Sequence, residues 1–195
     1  MERKRNRMKK FLGRLLMKLL GWKFVGQNPE GVDKAVMIAA PHTSNMDFLL
    51  AIGVFWGLGY PYKVLIKKFW LQFPFNLITK PLGGVSVDRK SKGVGNVIKQ
   101  SVNLLKHGNE KMYLLITPEG TRSRVRKWKT GFYRIAIDAG VPIVLCYINY
   151  DKKVAAVTEI FHPTGDFDKD MTHIEKFYIK NGRAKFKENY NQKIF

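Results

Sequence analysis

With 195 residues, 45% hydrophobic and 13% aromatic, the chain is long enough to bury one core and too apolar to be disordered. Its single cysteine, Cys146, excludes an internal disulfide. Lys and Arg number 35 against 15 Asp and Glu, and the net charge of +20 points to a polyanionic neighbour: nucleic acid, an anionic membrane face or an anionic substrate.

The first ten residues, MERKRNRMKK, carry six basic side chains and one acid, and FLGRLLMKLLGWKF follows. Wound as a helix, this segment places Leu12, Leu15, Leu16, Leu19 and Leu20 on one broad face and Arg14 and Lys18 on its edge. Trp22 and Phe24 stand at its end. Such a helix lies in a membrane interface or packs on its own domain, and the pattern allows both. It is too short and too charged to span a bilayer, and no small-residue cleavage site follows it. The chain therefore divides into a basic amphipathic segment, residues 1–24, and a domain, residues 25–195. VMIAA (36–40) reads as a buried strand, and residues 47–58 as an apolar helix ending near Gly59 and Pro61. YKVLI (62–66) and GVSVD (84–88) are strands on either side of an irregular aromatic stretch. Helical spacing runs from Ser91 to His107, where Val94, Ile98, Val102 and Leu105 share a face. MYLLIT (112–117) is a strand, residues 129–139 a helix, and PIVLCYINY (142–150) and VAAVTEIF (154–161) two further strands. Asp168 or Asp170 caps a last helix running to about Ile179. Strands alternating with helices predict a single α/β domain with a mixed, mostly parallel sheet covered by helices, preceded by the N-terminal amphipathic helix. Cys146 falls inside a core strand.

Three stretches put charge at the ends of apolar strands. In AAPHTSNMDFLL, His42 and Asp47 would stand about 140° apart if all six residues were helical, and so would not meet. They meet if His42 is in the loop after the strand and Asp47 in the helix's first turn, where the dipole favours an acid. The carboxylate then holds one imidazole nitrogen and leaves the other to accept a hydroxyl proton, which is base and orienter without a protein nucleophile. The alternative is a histidine that only caps the helix. GGVSVDRKSK joins a glycine pair to Arg89, Lys90 and Lys92 at a helix start, a phosphate receptor or a solvated basic turn. In LLITPEGTRSR, Glu119 and Arg122 follow a buried strand, where α/β sheets place their sites; an ion pair bracing the loop is the other reading. His107, His162 and His173 read as structural or surface positions.

In this order, the blocks resemble the glycerolipid acyltransferase family typified by lysophosphatidic acid acyltransferase. The resemblance rests on His42 to Asp47 (the HX4D motif), Gly83 to Arg89, Pro118-Glu119-Gly120-Thr121-Arg122-Ser123 and Val141-Pro142-Ile143-Val144. Ile66-Lys67-Lys68, Pro74-Phe75 and Lys129-Thr130-Gly131 also match, and the likeness covers about residues 36–150. Pro41 stands where many members have Asn, and Thr117 where they have Phe.

The resemblance implies an O-acyltransferase. His42 is then the general base and Asp47 its orienter, and the acceptor hydroxyl attacks the thioester of acyl-CoA or acyl-carrier protein, with no covalent acyl-enzyme. Arg89, Lys68 and Arg122 hold an acceptor phosphate, with Glu119, Gly120 and Thr121 completing the pocket. No cofactor or metal is implied. The expected acceptor is a lysophospholipid, 1-acylglycerol-3-phosphate giving phosphatidic acid, with a lyso-ornithine or lyso-glycine lipid as the alternative. Phe48, Leu49, Phe55 and Trp56 either wall an acyl groove or pack the core. The expected location is peripheral, on the cytoplasmic face of an anionic membrane. A nucleic-acid-binding protein is the reading of another class; it rests on charge alone, and no nucleic-acid motif accompanies it.

Overall fold

Apolar runs without polar alternation need both faces of a sheet covered. The computed structural model, which describes residues 2–26, 31–87, 93–108 and 111–195, has that architecture. The elements are α1 (Glu2–Leu19), β1 (Lys23–Gly26), β2 (Lys34–Ala40), α2 (Met46–Leu58), β3 (Tyr62–Lys67), a 3₁₀ turn (Lys68–Leu71), α3 (Asn76–Thr79) and β4 (Gly84–Val87). They continue as α4 (Gly93–His107), β5 (Met112–Ile116), α5 (Gly131–Ala139), β6 (Ile143–Asn149), β7 (Val154–Phe161) and α6 (Phe167–Asn181). The strands form one sheet in the order β1-β7-β6-β2-β5-β3-β4. Only β6 and β7 pair antiparallel, so the sheet is mixed and mostly parallel, as expected. The boundary expected at residue 24 falls inside β1, which pairs with β7 at the sheet edge.

The pleat of β2 sorts the core into two halves. Val36, Ile38 and Ala40 face Phe132 and Ile135 of α5 and Met171, Ile174 and Tyr178 of α6. Ala35 and Met37 face Met17 of α1 and Leu50, Val54 and Phe55 of α2. Each large apolar side chain fully buried this way contributes roughly 1.5–3 kcal/mol. Helix α2 is apolar almost all round because the sheet covers one side and α1 the other. The two helices run antiparallel and close: a Cβ at Gly13 would sit 2.4 Å from Gly57 N and 2.7 Å from Gly53 O.

Helix α1 uses a narrower packing face than its leucines suggest. Gly13 and Met17 are buried against α2, with Leu16 and Leu20 half-buried. Leu12, Leu15 and Leu19 join Met8 and Phe11 on the outside. The cap of α6 is corrected. Asp166, not Asp168 or Asp170, accepts from Lys169 N at 3.2 Å. Asp170 is instead pulled into the core, where the Tyr133 hydroxyl (2.9 Å) and the amide and hydroxyl of Thr164 (2.7 Å each) satisfy it.

This topology decides where a site can form. The chain leaves β2 through α2 towards β3, and leaves β5 through α5 towards β6, in the opposite direction. Ligands in such sheets bind beyond the carboxyl ends of the strands where connections diverge, here β2 and β5.

Candidate active site

The loop after β2 (residues 41–45) delivers His42, and Asp47 is the second residue of α2. The Asp47 carboxylate folds back over this loop. Its Oδ2 accepts the backbone amides of Thr43 at 2.7 Å and Ser44 at 2.8 Å, and lies 3.5 Å from His42 Nδ1. Ser44 Oγ accepts from Met46 N at 3.1 Å and closes the first turn. The side chain of His42 is 18% exposed and that of Asp47 only 2%, so the acid is sealed behind the imidazole. Burial pushes the Asp47 carboxyl up, but hydrogen bonds from His42, Tyr150, Ser44 and Thr43 outweigh it and hold the group below the usual carboxylate range. An ionised Asp47 on Nδ1 fixes the ring tautomer and leaves Nε2 as the nitrogen open to a substrate.

Tyr150, which follows β6, completes this anchoring and is not visible as a site residue in the sequence. Its hydroxyl donates to Asp47 Oδ1 at 2.5 Å, and its ring packs edge-on against Trp22 with centroids 4.8 Å apart. Burial, and then the neighbouring carboxylate, push the phenol well up, so it remains a donor. The one available signal is a tyrosine at the polar end of an apolar strand; that β6 lies beside β2 is a tertiary fact. Tyr150→Phe keeps the ring and removes the donor. We expect kcat to fall about tenfold with both KM values unchanged in steady-state kinetics, in line with loss of a charge-assisted hydrogen bond.

Glu119 reaches the same place from β5. The Gly120 turn (φ 67°) closes with Gly120 N donating to Thr117 O at 3.0 Å, and Lys129 N donates to Pro118 O at 2.9 Å to bring the loop's far end back. Glu119 is 5% exposed, and neither carboxylate oxygen has a hydrogen-bond partner. Burial pushes its carboxyl up to about 8; the His42 backbone amide, which lies towards it without closing a hydrogen bond, offsets part of this, and the Asp47 charge adds to it. His42, Asp47 and Glu119 are therefore brought together. Arg122 is exposed and does not pair with the buried Glu119, which removes the ion-pair reading of this loop. Gly120 and Thr121 are exposed beside it, and Thr121 Oγ1 accepts from Ser123 N at 3.3 Å.

Arg89 and the side chain of Lys68 lie outside the described residues. The backbone of Lys68 opens the 3₁₀ turn directly after β3, at the same sheet end as His42. Phe55 is core, 2% exposed and packed on Tyr60 and Tyr62, while Phe48 and Leu49 are exposed. His173 stacks on Phe161 and pairs with Glu159 in an exposed position. Cys146 is buried, and burial pushes its thiol up.

A family model described as Acyltransferase matches residues 21–149. A probable 1-acyl-sn-glycerol-3-phosphate acyltransferase from Mycoplasma pneumoniae is 35% identical over 137 residues, 67% of this chain and 50% of the relative. The 1-acyl-sn-glycerol-3-phosphate acyltransferase of Salmonella typhimurium is 32% identical over 150 residues, 71% of this chain and 58% of the relative. The chain thus spans about half the length of the curated relatives it matches. The crystal structure of the 1-acyl-sn-glycerophosphate acyltransferase PlsC from Thermotoga maritima shares the fold, with a TM-score of 0.60, 20% identity, and coverage of 90% of this chain and 77% of that one. The family match over residues 21–149 spans both the HX4D dyad and the Glu119 loop, and the chain belongs to the acyltransferase family.

Proposed function

We propose that the chain is an O-acyltransferase that moves a fatty acyl group from acyl-CoA or acyl-carrier protein to the free hydroxyl of 1-acylglycerol-3-phosphate, giving phosphatidic acid. The observation that carries this reading is an imidazole with one nitrogen tied to a buried, fully anchored carboxylate and the other open. His42 Nε2 takes the acceptor's hydroxyl proton as the oxygen attacks the thioester carbonyl. The C–S bond then breaks, and the imidazolium returns the proton to the departing sulfur. Asp47 stabilises that imidazolium throughout. Glu119, largely protonated at neutral pH, is a neutral donor beside the base. Arg89, Lys68 and Arg122 hold the acceptor phosphate, and the relatives' names support that choice of acceptor. A lyso-ornithine or lyso-glycine lipid remains the alternative acceptor, and no resident cofactor or metal enters the scheme.

The acceptor is a membrane lipid, and we propose that the enzyme works peripherally on an anionic, cytoplasmic membrane face. Phe11 (65% exposed) and Leu19 (76%) stand out on the outward stripe of α1, flanked by Arg7, Lys10, Arg14 and Lys18. No described helix is long and apolar enough to cross a membrane. This stripe favours a lipid surface over nucleic acid as the partner of the positive charge. The test is an assay of purified protein with acyl-CoA and a panel of lyso-lipids on anionic vesicles. Phosphatidic acid should form preferentially, and Phe11→Asp with Leu19→Asp should abolish vesicle flotation. Equal transfer to every lyso-lipid would reject the acceptor assignment.

A further inference from the structure

The family match ends at Asn149, and the C-terminal tail beyond α6 builds a second feature against the dyad. Arg183 bridges in parallel to Asn149, and Arg183 O accepts from Tyr150 N at 3.0 Å. Phe186 N then donates to Thr43 Oγ1 at 3.4 Å, on the loop of His42. Asn191 Nδ2 donates to Arg126 O at 2.8 Å, and Ile194 O accepts from Trp128 N at 2.8 Å, on the loop of Glu119. The tail thus ties the two catalytic loops together and lines an open cavity of about 580 Å³.

The cavity's chemistry is that of an anion site. Arg124, Arg183, Lys187 and Lys193 line it against one carboxylate, Asp151. Asp151 is shared by Arg183 at 3.9 Å and Lys187 at 3.4 Å, which leaves Arg124 and Lys193 without an ion pair among the described residues. Tyr190, 8% exposed, also lines it, and its buried hydroxyl has no hydrogen-bond partner. A Cβ at Gly182 would touch both that hydroxyl, at 3.3 Å, and Pro41 Cδ, at 3.2 Å, which sets the cavity beside the residue preceding His42.

Acyl transfer brings two phosphate-bearing substrates to one base. The cations assigned to the acceptor are Lys68 after β3, Arg89 after β4 and Arg122 after β5. The tail cavity is set apart from them by the tail itself, between Asp151 beyond β6 and Arg124 in the later part of the loop after β5. We infer that this cavity binds the phosphate of the acyl donor's pantetheine arm, a group common to acyl-CoA and to acyl-carrier protein. Arg124 and Lys193 supply the free charges. The inference rests on the acyl-transfer reading above.

The test uses Arg124→Glu and Lys193→Glu, singly and together, with Lys176→Glu on the exposed face of α6 as a control for net charge. Each cavity variant should raise the KM for acyl donor about fivefold, the effect of roughly 1 kcal/mol per exposed charge. The KM for lyso-lipid, and kcat at saturating donor, should not change. An unchanged donor KM, a raised lyso-lipid KM, or an equal effect from Lys176→Glu would overturn the assignment. Calorimetric titration of coenzyme A and of phosphopantetheinylated carrier protein into the wild-type and double-variant proteins gives a readout independent of turnover. Binding weakened in the double variant supports the cavity even if no acyl transfer occurs, and shows which donor is used. Transfer by the wild type with coenzyme A and carrier binding both untouched in the double variant overturns the cavity alone.

Discussion

His42→Ala should retain the fold and lose about 10²–10⁴-fold in kcat, the range that one positioned general base supplies. Its partner explains why the loss should fall on chemistry and not on folding. Asp47 keeps three of its contacts, the amides of Thr43 and Ser44 and the Tyr150 hydroxyl, when the imidazole is removed. The loop between β2 and α2 is therefore still held, and the circular dichroism spectrum should match that of the wild type. The residual rate measures what positioning of two bound substrates achieves without the base. Asp47→Asn differs, because it also disturbs the loop anchor and so lowers stability as well as rate. Wild-type turnover in His42→Ala would exclude a proton transfer to this imidazole.

The second large effect is on stability and depends on pH. The folded protein holds the Glu119 proton up to about pH 8, against an ordinary value of 4.5. The native state therefore binds this proton more tightly than the unfolded chain does. The Glu119 contribution to stability is full below about pH 4.5, is lost as pH rises from 4.5 to 8, and is absent above that. Glu119→Gln has no proton to lose. Its stability relative to wild type should improve by about 4 kcal/mol between pH 5 and pH 9, measured by urea unfolding at each. Asp47 has its folded value lowered, so its contribution is lost only as pH falls through the acid range, and it cancels in this comparison. The same stability difference at both pH values would show that the Glu119 carboxyl is not held protonated by its surroundings.

An unpaired, nearly sealed carboxyl is a cost that a structural role does not explain. Beside the base it is a neutral acid at neutral pH, held there by burial and by the Asp47 charge. The two carboxyl groups have opposite environments. Asp47 is surrounded by donors and stays ionised, whereas Glu119 closes no hydrogen bond and stays protonated at neutral pH.

Much of this arrangement is written in short stretches of the chain. The meeting of His42 with Asp47 follows from a strand end, a loop with hydrogen-bonding residues and a helix start, all within six residues. Backbone geometry over that span permits few alternatives, so spacing alone tells how the pair can meet. The strands themselves are legible because each is an unbroken apolar run, and continuity of that kind occurs where both sheet faces are covered. Four features depend on strand order and helix packing instead. Glu119 meets the His42 loop only because β5 lies beside β2, 70 or more residues apart in sequence. Tyr150 meets Asp47 only because β6 lies on the other side. The outward stripe of α1 exists because Gly13 and Met17 turn inward, leaving leucines that periodicity alone would bury. The tail's path across both loops is set by burial of Ala184, Tyr190 and Ile194 in the core and by single hydrogen bonds to Thr43, Arg126 and Trp128, which carry no periodic signature. Local spacing thus determined how His42 and Asp47 meet, and which strand ends carry charge. Which ends become neighbours, and which buried groups are left without partners, was decided by tertiary packing, because those contacts join segments whose distance along the chain leaves no trace in either one.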